Sequence, residues 1–165
     1  MRKFEKVSYE QFNNDIKKEL YFDDILSDQA YRNITLPRRA TSKSAGYDLV
    51  SPIDFILNPN NEIKVPTGIK CNLDDLDFLL LAPRSGHGFK YYVRLANTIG
   101  IGDADYYNNK GNEGHYWVKI RNEGDIQMSV KAGEAFCQAI ILPFSITIDD
   151  NPRENDRVGG LGSTN

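Results

Sequence analysis

Four consecutive pieces near the C-terminal end decide the fold: the run Tyr116-Trp117-Val118-Lys119-Ile120, the turns Asn122-Glu123-Gly124-Asp125 and Lys131-Ala132-Gly133, and the run Ala135-Phe136-Cys137-Gln138-Ala139-Ile140-Ile141-Leu142. The apolar runs are too short for typical helices, rich in aromatic and branched residues, and closed off by Gly, Asn and Asp, which is how strands read. The same texture extends back to Ile34, through Phe78-Leu79-Leu80-Leu81-Ala82, Ile63-Lys64-Val65 and Ile53-Asp54-Phe55-Ile56-Leu57, with turns at Asn58-Pro59-Asn60-Asn61 and Pro66-Thr67-Gly68. Many short strands at this spacing predict an all-β sandwich, barrel or jelly roll. No helical pattern alternates with them, which argues against a doubly wound α/β fold.

Ahead of the strands, Tyr9, Phe12, Ile16 and Leu20 fall three and four residues apart and predict a helix from residue 8 to about 22. Ser8 can cap its first turn, with Gln11 completing a capping box. Such a helix either packs on the main body or serves as an appendage for a protein partner. The chain thus divides into an N-terminal helical extension (1–30), a β unit (31–150) and a polar, then glycine-rich tail (151–165), without internal repeats.

The chain has 165 residues, 40% of them hydrophobic, enough for one core and too few for two comfortable domains. A net charge of −3 and a pI near 5.4 argue against nucleic-acid binding through many basic phosphate contacts. Cys71 and Cys137 lie inside apolar runs, far apart, and read as buried reduced thiols rather than a disulfide or zinc site. No run approaches the ~20 apolar residues of a membrane span, and no secretion signal is visible, so a cytoplasmic protein without membrane contact is expected.

Five pieces can carry chemistry. Ser44-Ala45-Gly46-Tyr47-Asp48-Leu49 places Asp48 at the start of an apolar strand, to orient a metal-bound water or hold a neighbouring Arg. Arg84-Ser85-Gly86 closes a strand with a cation, a hydroxyl and a glycine, as a plain turn or as one offering Arg84 and two N–H groups to phosphate. In Asn97-Thr98-Ile99-Gly100-Ile101-Gly102-Asp103-Ala104-Asp105-Tyr106, Asp103 is either a turn-forming residue or a carboxylate able to deprotonate water. Gln138 sits inside an apolar strand, where a buried amide needs a partner. Arg157-Val158-Gly159-Gly160-Leu161-Gly162-Ser163-Thr164 is a flexible terminus or a phosphate-wrapping tail of glycine N–H groups, hydroxyls and a guanidinium.

Together and in this order, over residues 37–165, the five pieces resemble the motif series of the trimeric dUTP diphosphatases (dUTPases), in a bacterial and phage branch of that family. The resemblance implies a jelly-roll-like β-barrel with an added N-terminal helix. It also implies a homotrimer whose active sites are shared between subunits, and hydrolysis of dUTP to dUMP and diphosphate with Mg²⁺ on the phosphates. Asp103 would be the catalytic base. Asn97, Gly100, Ile101 and Gly102 would read uracil, and Tyr106 would pack on the deoxyribose. Arg84, Ser85, Gly86 and Gln138 would hold phosphate oxygens. Arg157, Gly160, Gly162 and Ser163 would clamp the γ-phosphate with Leu161 over the base, and Asp48 would meet Mg²⁺ through water.

Three positions depart from the family pattern. Leu161 stands where a Phe is usual, which leaves another ring, or aliphatic contact alone, to cover the base. Gly102 stands where Ile or Val is usual, which loosens the turn and removes a packing group. Gly86-His87-Gly88-Phe89-Lys90 is richer in glycine than usual, and His87 reads as an exposed loop residue. Two other functions share such a body. A dCTP deaminase would need a glutamate base, for which Glu113 in the insert Gly111-Asn112-Glu113-Gly114-His115 is the nearby candidate. A regulatory binding module would use the dUTPase body to engage a protein partner. A purely structural shell would not retain five phosphate-type turns in this order.

Overall fold

The computed structural model describes residues 1–152. From the N-terminus run β1 (Lys3–Lys6), α1 (Tyr9–Leu20), α2 (Asp24–Asn33), β2 (Arg38–Arg39), β3 (Tyr47–Val50), β4 (Phe55–Leu57), β5 (Glu62–Pro66), β6 (Ile69–Asn72) and β7 (Asp77–Pro83). There follow α3 (Ser85–Tyr91), β8 (Val93–Leu95), β9 (Gly100–Asp103), a single 3₁₀ turn (Ala104–Tyr106), β10 (Trp117–Asn122), β11 (Met128–Val130) and β12 (Ala135–Pro143). Every strand pairing is antiparallel. A five-stranded sheet in the order β2-β3-β12-β7-β9 and a three-stranded sheet β5-β10-β8 contribute to one hydrophobic core, together with the two-stranded pairs β11-β4 and β1-β6. The expected all-β, jelly-roll-like architecture is therefore present, as separate antiparallel sheets rather than one continuous barrel.

Alternation explains the layering. In β7, Leu79 and Leu81 point inward and are buried, while Phe78 and Leu80 are half-buried. In β10, Val118 and Ile120 enter the core, whereas Lys119 faces out. Cys71 and Cys137 are both buried and free, and burial pushes each thiol up to about 12. They behave as small core hydrophobes.

The N-terminal region is larger and more tightly bound than expected. The single helix of 8–22 is two helices: α1 ends at Leu20, where Tyr21 turns into the left-handed region (φ 57°), and α2 starts after the Asp23 cap. The cap at Ser8 is confirmed, its hydroxyl accepting from the Gln11 N–H at 3.1 Å. The capping box is not completed by Gln11. Glu113 takes that place, accepting from the Ser8 N–H and hydroxyl at 3.0 and 2.6 Å, while the Gln11 amide donates to Asp15. Phe12 and Ile16 are fully buried in the main core, and β1 pairs along β6. Each such side chain contributes roughly 1.5–3 kcal/mol of burial, so α1 is part of the body and its apolar face is not open to a partner. No local signal announces this, because the accepting carboxylate comes from 105 residues away.

Candidate active site

The register of the five-stranded sheet gathers the first cluster. Gln138 on β12 lies opposite Asp48 on one side and Ala82 on the other, so Asp48, Gln138 and the chain entering Arg84 form one row across three strands. The Asp48 carboxylate forms an ion pair with Arg84, Oδ1 to Nε at 3.1 Å, and Arg84 Nη1 donates to the Ala135 carbonyl at 3.2 Å. Of the two sequence readings for Asp48, holding a neighbouring Arg is the one the side chain adopts here. The Gln138 amide nitrogen donates to the Pro83 carbonyl at 2.9 Å. Its oxygen explains Gly46, where a Cβ would come within 2.5 Å of it. Arg84 and Gln138 are thereby held in place before any ligand arrives.

Arg84-Ser85-Gly86 is not a plain turn. Arg84 is the N-cap of α3 and no side chain caps that end, so its first N–H groups can meet an acceptor from outside. Ser85 and Gly86 are exposed, and a Cβ at Gly86 would touch nothing within 4 Å. His87, expected in an exposed loop, is instead inside α3 and half-buried, within 3.4 Å of the Phe136 carbonyl, and burial lowers its basicity. Local glycine content pointed to a loop, but the segment is helical and packs against β8, with His87 reaching the Phe136 carbonyl.

The second cluster lies on the neighbouring edge strand. β9 pairs with β7 so that Gly100 faces Leu81 and Asp103 faces Phe78. Asn97-Thr98-Ile99 forms the tight turn into β9, with the Thr98 N–H on the Leu95 carbonyl at 3.0 Å. Thr98 has φ 65°, a conformation a β-branched residue adopts only under constraint. Sequence reading missed it. Behind the turn is a hollow of about 390 Å³, lined by Leu81, Leu95, Asn97, Gly100 and Trp117, with Lys64 at its edge. Ile101 is exposed on the opposite side of the strand.

Asp103 ends β9 with its residue exposed, beside a separate hollow of about 570 Å³ shared with Asp75, Asp105 and Phe144. Gly102 is buried, and a Cβ there would lie 2.3 Å from the Tyr116 hydroxyl. The expectation of a loosened turn is therefore corrected: Tyr116 fills the space that a side chain at 102 would take, and the backbone is ordinary strand. Tyr106 is also more enclosed than expected, only 8% exposed. Its hydroxyl donates to the His115 carbonyl at 2.9 Å and accepts from Asn112 at 2.7 Å, and its ring meets Tyr116 edge-on. Arg157, Gly160, Leu161, Gly162 and Ser163 lie outside the described residues.

Asp103 and Arg84 stand at opposite ends of β7. From Phe78 to Arg84 is six residues, or roughly 20 Å of extended strand at ~3.3 Å per residue. The two clusters of one chain cannot grip one triphosphate end to end.

The dUTPase family model matches residues 32–165, both clusters included. The chain belongs to the dUTPase family. Membership makes it a hydrolase. It is 36% identical over 137 residues to the deoxyuridine 5'-triphosphate nucleotidohydrolase of Lactococcus lactis subsp. lactis, covering 81% of this chain and 91% of that one. The same enzyme of Burkholderia mallei is 34% identical, covering 78% and 88%. Among solved structures, the dUTPase from Streptococcus mutans superposes with a TM-score of 0.65 at 31% identity, over 87% of this chain and 97% of that one. The dUTPase of phage phi11 of S. aureus, a structure detailing coordination of a structural Mg(II) ion, gives 0.64 at 17% identity over 94% and 97%, a likeness of fold.

Within this dUTPase, Glu113 does not stand as a deaminase base. It caps α1 and pairs with Lys70 at 3.1 Å. Among the described residues no group of three or more His, Cys, Asp or Glu converges as a metal site, and none of the helices is long and apolar enough to cross a membrane.

Proposed function

We propose that this chain hydrolyses dUTP to dUMP and diphosphate. One observation carries the reading: the hollow at Asn97 and Gly100 and the carboxylate of Asp103 are both supplied by the short stretch from Asn97 through β9, inside the residues that the dUTPase family model matches. The Lactococcus and Burkholderia relatives are named as nucleotidohydrolases of deoxyuridine 5'-triphosphate.

Asp103 takes a proton from a water molecule that attacks the α-phosphorus in line, and the bridging oxygen leaves with diphosphate. Asn97 and the backbone from Gly100 to Gly102 pair with the uracil edge. An added methyl costs ~1–3 kcal/mol in such a pocket, and buried polar groups left unpaired reject cytosine more strongly. Tyr106 meets the deoxyribose through its small exposed strip. The phosphates then run away from this chain's own Arg84, so the Arg84, Ser85, Gly86 and Gln138 that hold them belong to another copy. This supports the homotrimer with shared sites. Arg157, Gly160, Gly162 and Ser163 close over the γ-phosphate, with Leu161 toward the base. Bound Mg²⁺ would neutralise charge on the departing diphosphate. The exposed part of the Asp48 carboxylate, a hard oxygen donor, suits one of its water ligands.

The test is diphosphate release from dUTP, dTTP, dCTP and UTP, with and without Mg²⁺. Strong, Mg²⁺-dependent preference for dUTP is expected, and deletion of residues 157–165 should remove most activity while leaving the trimer intact. Equal turnover of UTP or dCTP, or deamination of dCTP, would sink the reading.

A further inference from the structure

We propose that Trp117 is the aromatic wall of the nucleobase pocket and that one face of helix α1 holds it there; this rests on the reading of the Asn97–Gly100 hollow as the base site. Trp117 sits on the outward side of β10, in line with Lys119 and Arg121, while Val118 and Ile120 point to the core. An indole on a face otherwise made of charged residues leaves apolar surface in need of a cover. Part of that surface lines the same hollow as Asn97 and Gly100. Among the described residues that line it, no other is aromatic.

The indole is fixed by two supports that start one helical turn apart on α1. Asp15 bonds His115 Nδ1 at 2.6 Å, and His115 Nε2 accepts the Gly68 N–H at 2.9 Å, so the buried imidazole is locked as the neutral Nδ1–H form. That ring lies 5.2 Å from the indole. Glu19 pairs with Lys64 at 2.8 Å, and Lys64 Nζ lies 4.8 Å from the centre of the indole. Positions 15 and 19 are on one helix face. The N-terminal extension is thus a buttress for the base pocket. Asp15, His115, Glu19 and Lys64 are positioning residues, and Trp117 is the contact.

Trp117 is the only tryptophan of the chain, so its emission reports on that ring alone. Titration of the full-length protein with dUMP should change the emission saturably, with a midpoint equal to the inhibition constant of dUMP against dUTP hydrolysis. Deoxyribose 5-phosphate and inorganic diphosphate should leave it unchanged. Trp117→Ala should raise KM for dUTP roughly tenfold, as loss of a base–aromatic contact does, with kcat held and Trp117→Phe recovering most of the loss. Asp15→Ala should raise KM severalfold and make Trp117 more accessible to iodide quenching. Competitive inhibition by dUMP with unchanged emission overturns the inference, as does an unaltered KM in Trp117→Ala. If the protein neither hydrolyses dUTP nor is inhibited by dUMP, the base-pocket reading itself falls and the inference with it. If Trp117→Ala does not fold, the wild-type titration still decides.

Discussion

The two ends of β7 are built differently. At the Arg84 end, side chains are locked before a ligand comes: Arg84 between Asp48 and the Ala135 carbonyl, and Gln138 on the Pro83 carbonyl against Gly46. At the Asp103 end an exposed carboxylate borders an open hollow beside Asp75, Asp105 and the exposed ring of Phe144. An anion-gripping cluster needs preset cations and donors, since their geometry supplies the binding. A general base needs access to water and to the reacting phosphorus. The difference teaches that the two ends suit different tasks, and under the proposed function each end is half of a site that two copies join.

The largest effect should come from the open end. Asp103→Asn should lower kcat by about 10²–10⁴-fold, the range of a lost general base, with circular dichroism and trimer mass unchanged; activity within tenfold of wild type would remove Asp103 from the reaction. The comparison itself breaks or stands on a mixing experiment. Asp103→Asn and Arg84→Ala chains, each nearly inactive, should regain a substantial fraction of activity when refolded together, because mixed trimers contain sites with both residues intact. No recovery would place both residues in one chain's site.

A smaller effect tests the packing behind Asp103. Gly102→Val forces a side chain into Tyr116 and should cost ~1–3 kcal/mol in urea unfolding, with Tyr116→Ala restoring much of it; full stability of the single variant would show that the ring moves freely. The smallest is the acid response of the α1 anchor. Burial holds His115 below its ordinary value, outweighing the opposing pull of Asp15. As pH falls below about 6.5 the unfolded chain takes the proton first, so stability present above that value is lost toward lower pH. A measurable loss of stability between pH 7.5 and 5.5 is expected in urea unfolding, and a His115→Gln variant should show a flatter profile.

Much of this was legible in the sequence. Short apolar runs cut by Pro, Gly, Asn and Asp read as strands, and the ordered motifs at Asp48, Arg84, Asp103 and Gln138 supplied the candidate site residues. Less legible were the features that depend on distant partners. The cap of α1 by Glu113, the helical state of the Ser85–Tyr91 segment, and the space at Gly102 taken by Tyr116 all come from residues brought close by the sheet register. Thr98 carries a positive φ that nothing in its residue type announces.

By itself, then, the sequence determined the all-β class, the family and the identity of the chemical groups, because these follow from local periodicity and from which side chains can donate, accept or ionise. Only the tertiary structure decided that Asp48 clasps Arg84, that Trp117 stands beside Asn97 and Gly100 on supports from α1, and that Asp103 lies a whole strand away from its own chain's Arg84. Those are relations across strands and between segments up to 100 residues apart. They are set by pairing register and core packing, which no local pattern encodes.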